Sequence, residues 1–280
     1  MRLPIHKLDA FTGTVFAGNP AAVCPLERWL DPGLMQKIAT ENNLAETAFF
    51  VPRPGKGTPT AFDIRWFSPV AEVDLCGHAR LASARVLFHR RGLASDGVTF
   101  ESQSGSLAVT RKRVSGGRVA GEMLELDFPS SPAEPCETPA DLVLGLGGKP
   151  REALRARDYL AVFETEDEVR ALLPKAEALD RLEARGVIAT APAARSSGGA
   201  AHDYVLRFFV PHLGVLEDPA TGSAHCTLAP YWAKRLGRTR LGARQLSARG
   251  AEFECEHRGE RVGIAGRVVP FLEGTIEIPG

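Results

Sequence analysis

The chain has 280 residues, of which 44% are hydrophobic and 24% charged, and this length suits two domains of ordinary size. Lys plus Arg and Asp plus Glu both number 34, so we expect no binding to nucleic acid or to a membrane surface. No apolar run predicts a transmembrane span or a signal peptide. The five cysteines are scattered without Cys-x-x-Cys spacing, which predicts neither a disulfide framework nor a zinc motif and favours a reducing, cytoplasmic location.

The first half of the sequence predicts two helices among short strands. Asp31–Ala39 has an N-cap followed by Pro, which is typical of the start of a short amphipathic helix. Gly77–Arg91 is apolar almost all round, so we expect a buried helix, with Gly92 near its C-terminal cap. Alternating runs with turn-rich flanks predict strands of a mixed or antiparallel sheet at residues 62–67, 97–101, 107–110 and 123–128.

The second half repeats this mixture after a Pro-rich linker at residues 129–139. A charged, solvated helix is expected within residues 166–185, a surface loop at 196–199 and a strand at 204–209. Ser223–Leu236 predicts a second buried helix, which Pro230 is expected to kink or to delay.

An internal duplication is visible in the spacing of the glycines. Three turn-like glycines recur at a constant offset of 145 residues: Gly77, Gly92 and Gly105 become Gly222, Gly237 and Gly250. The segments between them also read alike, each as one buried helix among strands. We therefore predict an α+β fold of two pseudo-symmetric domains, each a β-barrel-like sheet around a central helix. The predicted domains are residues 1–120 and 121–267, and a C-terminal strand of about 268–280 can return to the first domain.

Two motifs place a tight turn directly before a helix. Glu217–His225 and Asp74–Ala79 both expose the first backbone N–H groups of a helix, which form a site for anions. The simpler interpretation is that Thr221 and Ser223 only cap a helix. Repetition of the motif favours a functional site for a small anion. The side chains beside the two turns that can take part in chemistry are Cys76, His78 and Asp218.

Glu46 stands in an apolar segment, Leu44–Phe50. A carboxylate in such a setting tends towards burial, and a buried charge needs a partner or a chemical task. The alternative is an ordinary exposed residue at the start of a strand. Glu46 is therefore a candidate general acid/base.

Together the motifs resemble the phenazine-biosynthesis PhzF-like family. The resemblance extends from residue 9 to about residue 275, and its motifs are residues 9–12, 18–23, 43–49, 67–69, 76–79, 217–225 and 245–250. It implies a diaminopimelate-epimerase-like fold, a small anionic substrate that carries a carboxylate, no metal, no organic cofactor, and a homodimer.

The resemblance also assigns roles to individual residues. It implies a catalytic Glu46, polar helpers His78 and Asp218, and substrate binding by four further residues: Asn19, Gly77, Gly222 and Ser223. The sequence departs from the family at Arg80, where relatives commonly carry Thr. This arginine either faces solvent or adds a second anion contact, which leaves the substrate open.

Two other functions compete with a Glu46-dependent isomerase. A cysteine-dependent racemase or epimerase of the same fold would use Cys76 and a second thiol, but Asp218–Gly222 stands where that thiol is needed. Cys226 is expected to pack in the core inside the second helix. A non-catalytic protein that binds a small ligand is the other alternative. We predict a cofactor-independent isomerase in which Glu46 moves a proton along one face of the substrate.

Overall fold

The computed structural model describes residues 1–53, 60–114, 121–194 and 202–278, so the loop predicted at residues 196–199 lies outside the described residues. The chain divides into two compact units. The first combines Met1–Ser115, Ala120–Asp127 and Ala265–Gly280, and the second has Phe128–Ile264 as its main segment. Each unit is a mixed sheet with helices packed on it, which confirms the predicted α+β class.

The first unit begins with strands interrupted by helices. In chain order they are β1 (Arg2–Ala10), β2 (Asn19–Pro25), α1 (Pro32–Asn42), β3 (Glu46–Pro52), β4 (Ala61–Phe67), β5 (Glu72–Val73), α2 (Gly77–Arg90), β6 (Gly97–Ser102), β7 (Gly105–Val114) and β8 (Gly121–Pro129). The strands predicted in this half are all present. Helix α1 begins at Pro32 with the Asp31 side chain as its N-cap, as predicted, but continues three residues beyond Ala39.

The second unit has the same alternation. Its elements are β9 (Glu134–Pro135), α3 (Ala140–Leu146), β10 (Glu152–Arg155), β11 (Tyr159–Val162), α4 (Glu166–Ala171), α5 (Ala176–Leu179), β12 (Val187–Pro192), β13 (Tyr204–Val210), β14 (Val215–Glu217), α6 (His225–Leu236), β15 (Arg240–Gln245), β16 (Ala251–His257) and β17 (Arg261–Gly266). The last strand, β18 (Val268–Glu277), pairs antiparallel with β1 of the first unit.

The two units repeat one order of strand pairings. In the first, β2–β3 is parallel, β3–β4 antiparallel, β4–β6 parallel and β6–β7 antiparallel. In the second, β11–β12, β12–β13, β13–β15 and β15–β16 follow the same order. The glycines after the long helices also correspond, because Gly92 and Gly237 have φ values of 65° and 66°. The duplication inferred from the glycine spacing is therefore present in the sheets.

A partly buried ion pair is part of the same repeat. Arg65 binds both carboxylate oxygens of Glu72, at 2.7 and 2.6 Å. Arg207 binds both oxygens of Glu217 at 2.8 Å. Each glutamate lies on the short strand that precedes a helix start, and each arginine lies on the strand paired with it. The bidentate pairs therefore fix the chain just before the two turns singled out in the sequence.

Strand β3 divides its side chains between two helices. Phe49 and Val51 join the apolar cluster that contains Met35 and Ile38 of α1. The even-numbered residues of β3, beginning with Glu46, point to the other face of the sheet, and α2 packs against that face. A shift of the β2–β3 register by one residue would turn this carboxylate towards α1.

Helix α2 is buried on nearly every side, as predicted from a segment that is apolar almost all round. It ends one residue before Arg91, and Gly92 takes the left-handed conformation that follows many helices. The Cys76 side chain caps its start by accepting a hydrogen bond from the Ala79 amide at 3.4 Å.

The corresponding helix of the second unit starts differently. A single 3₁₀ turn at Gly222–Ala224 precedes α6, so the regular helix begins at His225 rather than at Ser223. Pro230 lies inside α6 and cannot donate to the Cys226 carbonyl four residues earlier. The Ser131 amide donates to that carbonyl instead, at 2.9 Å. This substitute hydrogen bond explains how α6 accommodates a proline.

The helix expected within residues 166–185 is two short helices. Thr165 and Glu168 form a capping box at the start of α4, which ends at Ala171. Pro174 follows, and a proline within a helix removes a hydrogen bond and clashes with the preceding turn. The chain resumes helical structure only at Ala176.

Candidate active site

Three polar side chains meet where β3 and α2 begin in the first unit. His78 Nε2 lies 3.0 Å from Glu46 Oε2, an ion-pair distance. Cys76 Sγ lies 3.5 Å from His78 Nδ1 and 3.9 Å from Nε2. His78 and Cys76 are buried, whereas the Glu46 side chain keeps 20% of its surface exposed. We call these three residues the Glu46 cluster.

Local structure explains why these side chains converge. Cys76 and His78 flank the first residue of α2, where Gly77 makes the turn from the preceding segment into the helix. Glu46 is the first residue of β3, paired with Ala21 of β2. Its side chain points to the α2 face of the sheet. The cluster thus joins a helix start to a strand start.

Burial and charge interactions oppose each other at Glu46 and His78. Burial alone would raise the pKa of Glu46, but the adjacent His78 charge and its hydrogen bonding lower it below its usual 4.5. Burial alone would lower the pKa of His78, yet the charges of Cys76 and Glu46 raise it well above 6.5. The pKa of Cys76 is raised by burial and by the negative charge of Glu46. The lowered pKa of Glu46 and the raised pKa of His78 favour a carboxylate paired with an imidazolium.

The predicted residues of the second unit form their own hydrogen-bonded turn. Thr221 Oγ1 donates to Asp218 Oδ2, and the fully buried Gln245 side chain bridges the turn. Its Oε1 accepts from the Thr221 amide at 2.8 Å, and its Nε2 donates to the Asp218 carbonyl at 2.6 Å. These bonds fix Asp218 next to the 3₁₀ turn that begins at Gly222.

Ser223 and Thr221 do not act as the helix caps that the simpler interpretation of the sequence required. Neither side chain caps the turn at Gly222–Ala224 or the start of α6. Ser223 Oγ instead accepts a hydrogen bond from Arg185 Nη1 at 3.0 Å. Arg185 is in turn bound by both carboxylate oxygens of Asp158, which is almost completely buried.

Three supporting residues were not assigned by sequence reasoning. Gln245 begins one of the family motifs, and that position was its only signal. Arg185 and Asp158 lie 38 and 65 residues before Ser223, and no local pattern connects them. Their contacts arise only in the folded unit.

The two remaining positions of interest lie in the first unit. Asn19 starts β2 and is completely buried. It lies two residues before Ala21, which pairs with Glu46, so its side chain is on the same face of the sheet as Glu46. Arg80 is also completely buried within α2. The expectation that Arg80 could face solvent is therefore wrong, because α2 is covered on the side that carries it.

The arrangement of the cysteines bears on the racemase alternative. Cys226 is only partly buried, contrary to the expected core position, because it lies at the first turn of α6. The turn at Asp218–Gly222 contains no cysteine.

Across the described ranges, no helix is long and apolar enough to cross a membrane.

Comparisons with known proteins bear on the family and the fold. The family model "Phenazine biosynthesis-like protein" (PhzC-PhzF) matches residues 8–274. An uncharacterized isomerase of Pseudomonas aeruginosa is 48% identical over 278 residues, which are 99% of this chain and 100% of that protein. A crystal structure of a PhzF-family protein from Enterococcus faecalis is 43% identical, with a TM-score of 0.90, covering 99% of this chain and 100% of the other.

A more distant structure shares the fold alone. The hydroxyproline epimerase of Agrobacterium vitis has 12% identity and a TM-score of 0.60, covering 98% of this chain and 92% of that one. The match of the family model across residues 8–274 and the 48% identity over the full length leave one conclusion: the chain belongs to the phenazine biosynthesis-like PhzC-PhzF family.

Proposed function

We propose that the protein is a cofactor-independent isomerase that shifts a proton on a small carboxylate-bearing substrate, with Glu46 as the general acid/base. The name of the 48%-identical relative supports an isomerase. The observation that carries the assignment to Glu46 is its contact with His78, at 3.0 Å, beside the start of α2.

The charge states suit proton abstraction from carbon. His78 keeps Glu46 ionised, so the carboxylate is ready to accept a proton at neutral pH. The partial exposure of Glu46 gives a substrate access to it, while burial of His78 limits competition from water. A charged, partly exposed carboxylate held by a buried partner is a candidate general base.

The proposed reaction has two proton transfers. Glu46 removes a proton from a carbon acidified by conjugation with a carboxylate or carbonyl group, and the electron pair of the broken C–H bond enters that conjugated system. The imidazolium of His78 and the positive end of the α2 helix dipole stabilise the resulting anion. Glu46 then returns the proton to another carbon on the same face. The substrate is isomerised without loss or gain of atoms.

For the second unit, we propose that Asp218 is a catalytic helper and that Gly222 and Ser223 bind the substrate. The support is their rigid setting, with Gln245 and Arg185 holding the turn from both sides. Asn19 is assigned to substrate binding in the first unit, from its place on the Glu46 face of the sheet.

A cysteine-dependent racemase is the second candidate, and one contact favours it. Cys76 Sγ lies beside His78, which could accept its proton. However, burial and the Glu46 charge raise the pKa of this thiol, which disfavours the thiolate nucleophile. Two-base racemisation also needs a second acid/base group on the opposite face of the carbon, and no cysteine occupies the corresponding turn. The Glu46 isomerase explains more of the geometry.

The test is hydrogen exchange in heavy water with a panel of small unsaturated and amino carboxylates. Wild type should introduce deuterium at a carbon of at least one compound, and Glu46→Gln should slow this by roughly 10²- to 10⁴-fold while retaining ligand binding. Glu41→Gln, an exposed position on α1, is the matched control and should leave the rate unchanged.

Three outcomes would contradict the assignment. Near-wild-type exchange in Glu46→Gln would exclude Glu46 as the base. Exchange at Cα that is lost in Cys76→Ser but kept in Glu46→Gln would identify the racemase instead. Ligand binding without exchange across the whole panel would identify a binding protein.

A further inference from the structure

We propose that the Glu46 cluster binds one zinc-type divalent cation, which inhibits the enzyme by occupying the catalytic carboxylate. The inhibitory part rests on the proposed function of Glu46, whereas the binding site stands on the geometry alone. The cation would be held by Glu46, Cys76 and His78.

The distances within the cluster fit a small tetrahedral ion. One donor atom from each of the three residues lies within 4.8 Å of the other two. His78 Nε2 is 3.0 Å from Glu46 Oε2 and 3.9 Å from Cys76 Sγ. Zinc bonds of about 2.0–2.3 Å in a tetrahedron place neighbouring ligand atoms roughly 3.3–3.7 Å apart. The Nε2–Oε2 and Nε2–Sγ separations therefore lie within about 0.7 Å of these values, and the carboxylate oxygen and Sγ lie no more than 4.8 Å apart.

The chemistry of the donors selects the type of cation. A thiolate, an imidazole nitrogen and a carboxylate oxygen form a mixed donor set that favours zinc and cobalt over magnesium or calcium. Three protein ligands also leave one tetrahedral position open for water or for a substrate oxygen. The set is thus that of a reversible, accessible metal site rather than a closed structural one.

The local structure holds the ligands in advance of binding. Cys76 and His78 are separated by a single residue at the start of a buried helix, and Glu46 is fixed by the β2–β3 register. The metal takes the place of the proton on His78 and the proton on the Cys76 thiol, so the carboxylate keeps a positive partner. The exposed part of Glu46 provides an entry path.

Occupation of the site removes the proposed base. A carboxylate oxygen bound to a divalent cation has a much weaker affinity for a proton than a free one. Proton abstraction by Glu46 should therefore stop while the cation is bound and resume when a chelator removes it. The cluster would make the enzyme sensitive to free zinc.

Binding is tested first, without substrate. Chelator-treated protein is titrated with Zn²⁺ against a chromophoric chelator, and one ion per chain is expected. Cys76→Ser should weaken zinc binding by at least about tenfold. Mutating even a residue that only hydrogen-bonds to a metal ligand typically weakens metal affinity by about 10- to 100-fold. Serine is a favoured N-cap, so this variant should retain the start of α2 and the native circular dichroism spectrum.

Two matched variants separate the cluster from adventitious surface sites. Cys136→Ser removes another free, partly buried thiol and should leave zinc affinity unchanged. His89→Gln removes a histidine that contacts Glu122 but belongs to no three-ligand group among the described residues, and should also have no effect. Cobalt should give a thiolate charge-transfer band that Cys76→Ser abolishes. Equal zinc affinity in wild type and Cys76→Ser would overturn the site.

Inhibition is measured in the heavy-water exchange assay. Saturating zinc should stop exchange, and chelation should restore it; continued exchange by the zinc-saturated protein would overturn the proposed inhibition. If the metal-free protein exchanged no compound, the proposed isomerase would fail instead. The titration would still decide whether the cation site exists.

Discussion

The turn between β1 and β2 offers a direct test of how closely the backbone packs beside Asn19. Gly18 has φ of +63°, and a Cβ added there would lie 2.1 Å from the Ala10 carbonyl oxygen and 2.8 Å from Thr12 Cγ2. The oxygen belongs to the backbone of β1, whose last residue pairs with Asn19. A methyl group at Gly18 can therefore fit only if the two strands separate.

The expected cost of Gly18→Ala has two parts. The left-handed conformation costs a non-glycine residue about 1–2 kcal/mol. Overpacking against a fixed backbone atom adds about 1–3 kcal/mol. We therefore expect the free energy of unfolding of Gly18→Ala to fall by about 2–5 kcal/mol, measured by urea denaturation followed by circular dichroism.

Gly92→Ala separates the two parts of this cost. Gly92 has almost the same φ, +65°, but an added Cβ would have no neighbour within 4 Å. It should lose only the conformational part, about 1–2 kcal/mol. If Gly18→Ala destabilised the protein no more than Gly92→Ala does, the close approach of β1 would be refuted.

Three further changes test the two units. Arg185→Met leaves the buried Asp158 carboxylate without its bidentate partner, and should lower the urea-unfolding free energy by about 3–5 kcal/mol. Burial lowers the pKa of His225 from 6.5 to about 3, so the unfolded chain binds this proton more readily than the folded protein does. The contribution of the neutral, buried imidazole to the free energy of unfolding is therefore complete above pH 6.5 and is lost as the pH falls towards 3. His225→Gln should reduce this acid sensitivity in urea curves recorded across that range. Glu46→Gln should lower the pKa of His78, followed by NMR of the imidazole ring, because it removes a negative charge at 3.0 Å.

Each of these changes has its control. Arg181→Met breaks an exposed pair with Asp141 and should leave stability nearly unchanged. His212→Gln, on the surface, should leave the acid sensitivity as in wild type. Histidines outside the Glu46 cluster should titrate as before in Glu46→Gln. The electrostatic account would be wrong if Arg185→Met matched Arg181→Met in stability, or if the titration of His78 did not move.

The first-unit site was largely predictable because its signals are local. The segment after Gly77, which is apolar almost all round, predicted a buried helix, and Gly92 marked its end correctly. An apolar setting suggested that Glu46 needed a partner. The identity of that partner, His78, depends on the parity of β3, which the β2 pairing sets. Sequence patterns show which residues of a strand share one face of the sheet, but they do not show which helix covers that face.

The second-unit site was less predictable because its contacts span long stretches of sequence. Arg185 reaches Ser223, and Gln245 reaches back to Asp218, through side-chain hydrogen bonds that no periodicity encodes. The interruption between α4 and α5 had a local signal in Pro174, which the charge pattern of the region concealed.

The pairing of β18 with β1 has a consequence for the order of events during synthesis. The first unit needs its final strand, and the Met1 and Ile278 backbones bond to each other beside it. The second unit is supplied mainly by the continuous segment Phe128–Ile264. On the ribosome, the later segment can therefore complete its sheet while the earlier one still exposes the edge of β1. The second unit should therefore fold before the first, which reverses the usual N-terminal-first order. A chaperone would be needed at the unpaired edge of β1.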